Sequence, residues 1–219
     1  AGHTLAGRFV EGNDDVHKVS IIPRGAALGV TMFLPSEDRH LMTRQQTLAR
    51  IAMALGGRVA EEIAFGEMTT GASDDIKRAT RLARAMVCEL GMSEKLGPVA
   101  YGEREEAVFL GREMASHRDD YSEATAREID AEIRRIVDEQ YGIVRAVILA
   151  HRAELDRLAE ALLERETLDS EEITAAIEGR ELPVRERVVI PTWAEKQKRQ
   201  KEQKRPASIF GAPKPAPSA

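Results

Sequence analysis

The sequence holds a single cysteine, Cys88, which excludes any disulfide framework within its 219 residues. Its neighbours Met86, Val87 and Leu90 are apolar, so a buried thiol in a reducing compartment is expected. Aromatic residues are scarce at 4% while charged residues reach 32%, a balance that disfavours aromatic-rich sandwiches and base-stacking surfaces and favours solvated amphipathic helices. No apolar run approaches the roughly 20 residues of a membrane-spanning helix, and no signal-peptide pattern opens the chain. The net charge of −5 leaves no polybasic field for a nucleic-acid backbone apart from the cluster Lys196 to Arg205, so no nucleic acid is expected as partner. A glycine loop with a following Lys-Ser/Thr, which would cradle nucleotide phosphates, is also missing. There is no initiator methionine, and the chain opens mid-pattern on Ala1-Gly2-His3, so further sequence is expected ahead of it.

The apolar fraction of 42% is enough for a substantial core. Ala1 to Phe9 reads as the end of a helix, with Leu5 and Phe9 spaced i, i+4. Val16 to Ile22 alternates Val19 and Ile21 with Lys18 and Ser20, which predicts a strand, and Gly29 to Leu34 predicts a second, joined by a turn at Arg24-Gly25-Ala26 and closed by Pro35. Thr43 with Gln46 forms a capping box for a long helix through Leu48, Ile51, Ala52, Leu55, Val59 and Ile63. The Gly56-Gly57 pair inside it weakens that helix and points to close backbone packing by something large. Ser73 is the expected cap of a helix over Ile76, Ala79, Ala83, Met86 and Leu90, stopped by Gly91. Gly102 to Asp120 reads as loop. Ser122 caps a helix to Val137, a second helix starts near Ile143 and runs to Leu163 as its antiparallel partner, and Asp169-Ser170 starts a last one ended by Gly179. The fold class is therefore mainly α (α+β): a helical domain over residues 1–184 with a small β-sheet. Residues 185–219, first Lys/Arg-rich and then Pro/Ala-rich, are expected to be a disordered tail.

Chemistry enters with the histidines. A zinc peptidase helix of the His-Glu-x-x-His type places two histidines on one face, with the intervening glutamate as general base. Ala1-Gly2-His3 matches the end of such a motif, although a solitary histidine is ordinarily a plain exposed or hydrogen-bonded side chain. Asp74 and Asp75 stand in a helix's first turn, where unpaired amides favour the carboxylate that binds zinc; the same place suits acids with no metal role. A metzincin is excluded, because it needs glycine and histidine where Ala6 and Phe9 stand. A distal glutamate could be Glu61 or Glu62, and Glu61 ranks as a partner that orients His3, a surface acid being the plain alternative. His17, His40, His117 and His151 have no ligand-like spacing. The strand Gly29, Val30, Thr31, Met32, Phe33, Leu34 is the candidate substrate strand, since a free sheet edge binds an extended polypeptide through its main chain. An ordinary hairpin strand is the alternative.

Further motifs follow in order: Val16-His17-Lys18-Val19-Ser20-Ile21-Ile22-Pro23-Arg24-Gly25, Leu28-Gly29-Val30-Thr31, Gly57-Arg58-Val59-Ala60-Glu61-Glu62, Thr70-Gly71-Ala72-Ser73-Asp74-Asp75-Ile76, Leu90-Gly91-Met92-Ser93 with Leu96-Gly97-Pro98, and Tyr121-Ser122-Glu123. From Ala1 to about Pro183 the chain resembles the peptidase domain of FtsH, the ATP-dependent membrane zinc protease. The resemblance implies a His-Glu-Ala-Gly-His motif ending at His3, with Asp75 as the distant ligand and one Zn2+ per subunit. It implies peptide hydrolysis by zinc-bound water, with a general-base glutamate ahead of Ala1. It also implies an upstream ATPase module using ATP and Mg2+, a homohexamer, and unfolded, misassembled, regulatory or membrane polypeptides as substrates. The peptidase domain would be cytoplasmic and its parent anchored in the bacterial inner membrane. With only two ligands of its own, the chain by itself is expected to be inactive. The alternatives are a catalytically inactive FtsH-like oligomerisation or scaffold module, and a helical adaptor with no metal history.

Overall fold

The computed structural model of the chain describes residues 1–23, 29–34, 41–102 and 121–184. The expected turn at Arg24-Gly25-Ala26, the Pro35 stop, most of the Gly102 to Asp120 loop, His40, His117 and the tail over 185–219 lie outside the described residues. Among the described residues are six helices: α1 (Gly2–Phe9), α2 (Arg44–Phe65), α3 (Ser73–Cys88), α4 (Glu123–Ala150), α5 (Arg152–Arg165) and α6 (Ser170–Glu178). Strands β1 (Asp15–Ser20), β2 (Val30–Leu34) and β3 (Thr167–Asp169) form an antiparallel sheet in the order β2-β1-β3. Ala1–Pro183 is one compact unit.

Helix α2 is the axis of the fold. Its capping box is complete: the Gln46 amide donates to Thr43 Oγ1 at 3.2 Å, and the Thr43 amide to Gln46 Oε1 at 2.9 Å. One face contributes Ala52 and Val59 to a core shared with Leu5, Val16, Val19, Val144, Ile148, Leu158 and Leu168. The other contributes Ile51 and Leu55 to a second core with Met86, Val87, Ile129 and Ile136. Cys88 is buried, and burial pushes its thiol pKa up, so it stays protonated and unreactive.

The glycine pair in α2 receives α1. A Cβ on Gly56 would lie 2.8 Å from the Gly2 carbonyl oxygen, and one on Gly2 would lie 2.2 Å from the Gly56 carbonyl oxygen. At Gly56 the neighbour is thus another glycine backbone in a short helix, while at Gly57 it is the His3 ring, 2.5 Å from an added Cβ.

Several elements depart from expectation. A bulge between Val16 and Lys18 breaks the alternation of β1, so Val16 and Val19 both face inward, while Ile21 and Ile22 lie beyond the strand and are exposed. Strand β3 pairs with β1 and buries Leu168, although three residues leave almost no periodic signal. The expected break near Ile143 is absent: α4 runs through Gly142 to Ala150, because Ile136, Gln140, Val144 and Ile148 are buried along one stripe and outweigh a glycine cost of about 1 kcal/mol. The break falls at His151, whose ψ of 35° leaves the helix. Helix α5 then packs chiefly against α6 and β3, so the expected antiparallel pair with α4 is not the main contact. Ser73 lies inside α3; a 3-10 turn, Thr70–Ala72, precedes it, capped by the Thr69 hydroxyl, which accepts from the Gly71 amide at 3.1 Å.

Candidate metal centre

His3 stands on α1 and lies against α2, and Asp75 stands in the first turn of α3. His3 Nε2 lies 3.2 Å from Asp75 Oδ2. On the other side of the ring, His3 Nδ1–H donates to the carbonyl oxygen of Met53 at 2.9 Å, a contact that fixes the ring's orientation. About a third of each side chain is exposed, 31% for His3 and 35% for Asp75, so the pair opens to solvent.

The donors suit zinc in kind and in spacing. A neutral imidazole nitrogen and a carboxylate oxygen are ordinary zinc ligands, and bonds of about 2.0–2.1 Å put neighbouring corners of a tetrahedron about 3.3 Å apart. The observed 3.2 Å matches that edge. Among the described residues no group of three His, Cys, Asp or Glu side chains converges anywhere, so they supply two of the three protein ligands that a catalytic zinc requires.

Other candidate residues take other places. Glu61 accepts a hydrogen bond from Thr69 Oγ1 at 3.1 Å and so anchors the turn that leads into the Asp75 helix, while the Met53 carbonyl is the group that receives His3 Nδ1. Glu62 accepts the Tyr141 hydroxyl hydrogen and lies 3.7 Å from Arg145 Nε. Burial and the neighbouring Glu62 carboxylate both hold the Tyr141 pKa above its ordinary value. Asp74 is exposed and pairs with Lys77 at 3.2 Å. His17 is exposed beside the β1 bulge. His151 stacks on Phe9, with ring centroids 3.7 Å apart, and its Nδ1 lies 3.2 Å from Glu154 Oε1.

Strand β2 is an edge of the described sheet, next to β1 alone. Its Val30, Met32 and Leu34 are exposed, and Gly29 beside it is exposed too, whereas Thr31 and Phe33 are half-buried. Phe33 fixes the strand to the metal-site helix: a Cβ on Gly7, one turn beyond His3, would lie 2.5 Å from Phe33 Cε1. The Met53 carbonyl and the Gly7 contact were invisible to sequence reasoning, because a backbone acceptor carries no residue signature. The glycines at 7 and 57 were the available signals.

The sequence profile of peptidase family M41 matches residues 1–176. The chain belongs to peptidase family M41. Among its relatives in that family are proteins named ATP-dependent zinc metalloprotease. FtsH 4 of Sorangium cellulosum is 55% identical over 219 residues, covering 100% of this chain and 34% of the relative. FtsH of Acidobacterium capsulatum is 52% identical over 183 residues, 84% of this chain and 28% of its own length. FtsH of Myxococcus xanthus is 50% identical over 182 residues, 83% and 28% respectively. This M41 chain therefore spans about a third or less of the curated relatives that it matches. None of its described helices is long and apolar enough to cross a membrane.

Proposed function

We propose that this M41 domain is the peptidase portion of an ATP-dependent zinc endopeptidase acting on unfolded, misassembled or regulatory polypeptides. The observation that carries the reading is the approach of His3 Nε2 to Asp75 Oδ2 at 3.2 Å, between residues far apart in sequence, with the ring held from its other side by the Met53 carbonyl.

When bound, zinc supplies a Lewis acid that polarises the scissile carbonyl and activates water. His3 and Asp75 would hold it, with the remaining histidine and the general-base glutamate coming from sequence ahead of Ala1. The Met53 carbonyl, 2.9 Å from His3 Nδ1, holds the ring in place. Glu61, through Thr69, holds the turn that presents Asp75. The β2 edge would bind substrate as an added strand; main-chain hydrogen bonds make little distinction among side chains, which suits broad specificity. The ATPase module with ATP and Mg2+, the homohexameric ring, the inner-membrane anchor and the cytoplasmic placement of this domain belong to the same proposal; the relatives' names, which print ATP dependence, and their greater length support the ATPase module.

The test is Asp75→Asn in the parent protein. ATP- and zinc-dependent casein degradation is expected to be lost while ATP hydrolysis persists; casein degradation at the wild-type rate would refute the assignment. Residues 1–219 alone are expected to leave casein intact.

A further inference from the structure

The outward side of α3, the helix that carries Asp75, is basic. At about 100° per residue, Asp74, Lys77, Arg78, Arg81 and Arg84 fall on one side of the helix and are all exposed, while Ala79, Ala83, Met86 and Val87 fall on the other and are buried. Four bases thus stand against one acid, in a chain whose net charge is −5. Of the four, only Lys77 forms an ion pair among the described residues, with Asp74 at 3.2 Å. Other helices lace their solvated sides with opposite charges four residues apart: Arg127 faces Glu123 at 3.6 Å, Arg135 faces Glu139 at 2.8 Å and Arg152 faces Asp156 at 3.0 Å. On α3 the same spacing sets Lys77 beside Arg81, and Arg81 stands three residues from both Arg78 and Arg84, so like charges repel. An anionic partner relieves that repulsion.

We propose that this side of α3 is a subsite for acidic residues of an extended polypeptide whose scissile bond lies at the His3–Asp75 centre. The proposal rests on the peptidase reading of that centre. Lys77 and Arg78 stand within one turn of Asp75. Arg84 lies about 14 Å from Asp75 along the axis at about 1.5 Å per residue, a length that an extended chain covers in about four residues. Acids within about four residues of the cleaved bond, on one side of it, therefore meet the basic side chains. Other polyanions fit less well. A membrane surface needs apolar residues beside the bases, and the apolar side of α3 is buried in the core. A nucleic-acid strand needs a broad positive field or aromatic platforms; the chain is acidic overall, and α3 has no aromatic residue. A short strip of long basic arms suits a few carboxylates on a passing peptide.

The experiment measures, by fluorescence anisotropy, the binding of a short unstructured glutamate-rich peptide and of its glutamine counterpart to the full 219-residue chain. At low salt the glutamate peptide is expected to bind about tenfold tighter, the worth of two or three exposed ion pairs, and the advantage disappears at about 0.5 M salt. The double variant Arg78→Glu/Arg81→Glu loses that advantage, whereas Arg127→Glu/Arg134→Glu, the same change of net charge on α4, keeps it. In the parent protein the α3 double variant raises KM about tenfold for peptides with glutamate beside the cleaved bond, and leaves kcat and the KM of glutamine peptides unchanged. Equal affinity of the wild type for both peptides, an equal loss in both double variants, or tighter binding of an oligothymidylate or of phosphatidylserine vesicles than of the glutamate peptide would overturn the proposal. The wild-type comparison decides even where a variant does not fold. Peptide binding needs no zinc, so the two readings fail separately: glutamate-selective binding at α3 by a parent that cleaves nothing leaves the acidic subsite standing and removes the peptidase, and casein degradation without glutamate preference does the reverse.

Discussion

Glu132 on α4 offers a quantitative test of what holds the exit of α3, the helix whose first turn carries Asp75. Its residue is only 2% exposed. Arg135 donates to its two oxygens from Nε at 2.8 Å and Nη2 at 2.9 Å, and the Ser93 hydroxyl donates at 2.9 Å. Ser93 also accepts from the Leu96 amide at 3.2 Å, so the carboxylate clamps the turn after α3 onto α4. The hydrogen bonds from Arg135, with help from Ser93, outweigh desolvation and hold the Glu132 carboxyl below its ordinary range. Glu132→Gln keeps the shape but turns one oxygen into a donor facing the guanidinium. Bonds to charged groups contribute about 1.5–3 kcal/mol each, against about 0.5–1.5 for neutral ones. Because the Arg135 side chain is 48% exposed, solvent screening reduces its share. A net loss of about 2 kcal/mol follows, or roughly 4–8 °C in Tm for a domain of this size. The folded pKa lies below the unfolded one, so the carboxylate's contribution is complete above the unfolded value of about 4.3 and disappears as pH falls through the folded value. Thermal melts followed by circular dichroism at neutral pH should therefore separate wild type from Glu132→Gln, and the gap should close in acid. Equal Tm values at neutral pH, or a gap that persists in strong acid, would refute the reasoning.

Two comparisons test the glycines and the one left-handed non-glycine among the described residues. Gly56→Ala drives a methyl to 2.8 Å from the Gly2 carbonyl and should destabilise by about 1–3 kcal/mol despite the better helix former, whereas Gly142→Ala should stabilise by up to about 1 kcal/mol; urea unfolding that ranks them the other way contradicts the packing argument. Glu166 caps α5 at φ 60°, and its carbonyl accepts from the Ile21 amide at 2.9 Å. Glu166→Gly should relieve the left-handed cost of about 1 kcal/mol and raise Tm, while an unchanged or lower Tm shows that its side chain offsets the strain.

The family's motifs were legible because they are local or ordered along the chain. Thr43 with Gln46, the cap Asp169 and the stop Gly179 each act within a few residues, and each appears in the structure. The helical stripes of α2, α3 and α6 were legible because burial on one side imposes a period of about 3.6 residues. His3 and Asp75 could be named in advance only through family resemblance, since nothing in their local sequence separates a ligand from a solvated side chain.

What the sequence alone determined was the number of helices, most of their caps and most of their inward faces, because propensity, capping and periodicity are properties of neighbouring residues. The tertiary structure decided the rest. It brought Leu168 and its short strand onto β1, carried α4 through Gly142, shifted the facing of β1 at a bulge, and set His3 Nε2 3.2 Å from Asp75 Oδ2 with its other nitrogen on a backbone carbonyl. Each of these depends on contacts between residues distant along the chain, whose energies enter only once the helices pack; that is why half of the Gly56-Gly57 pair proves to be helix packing and the other half the seat of a histidine.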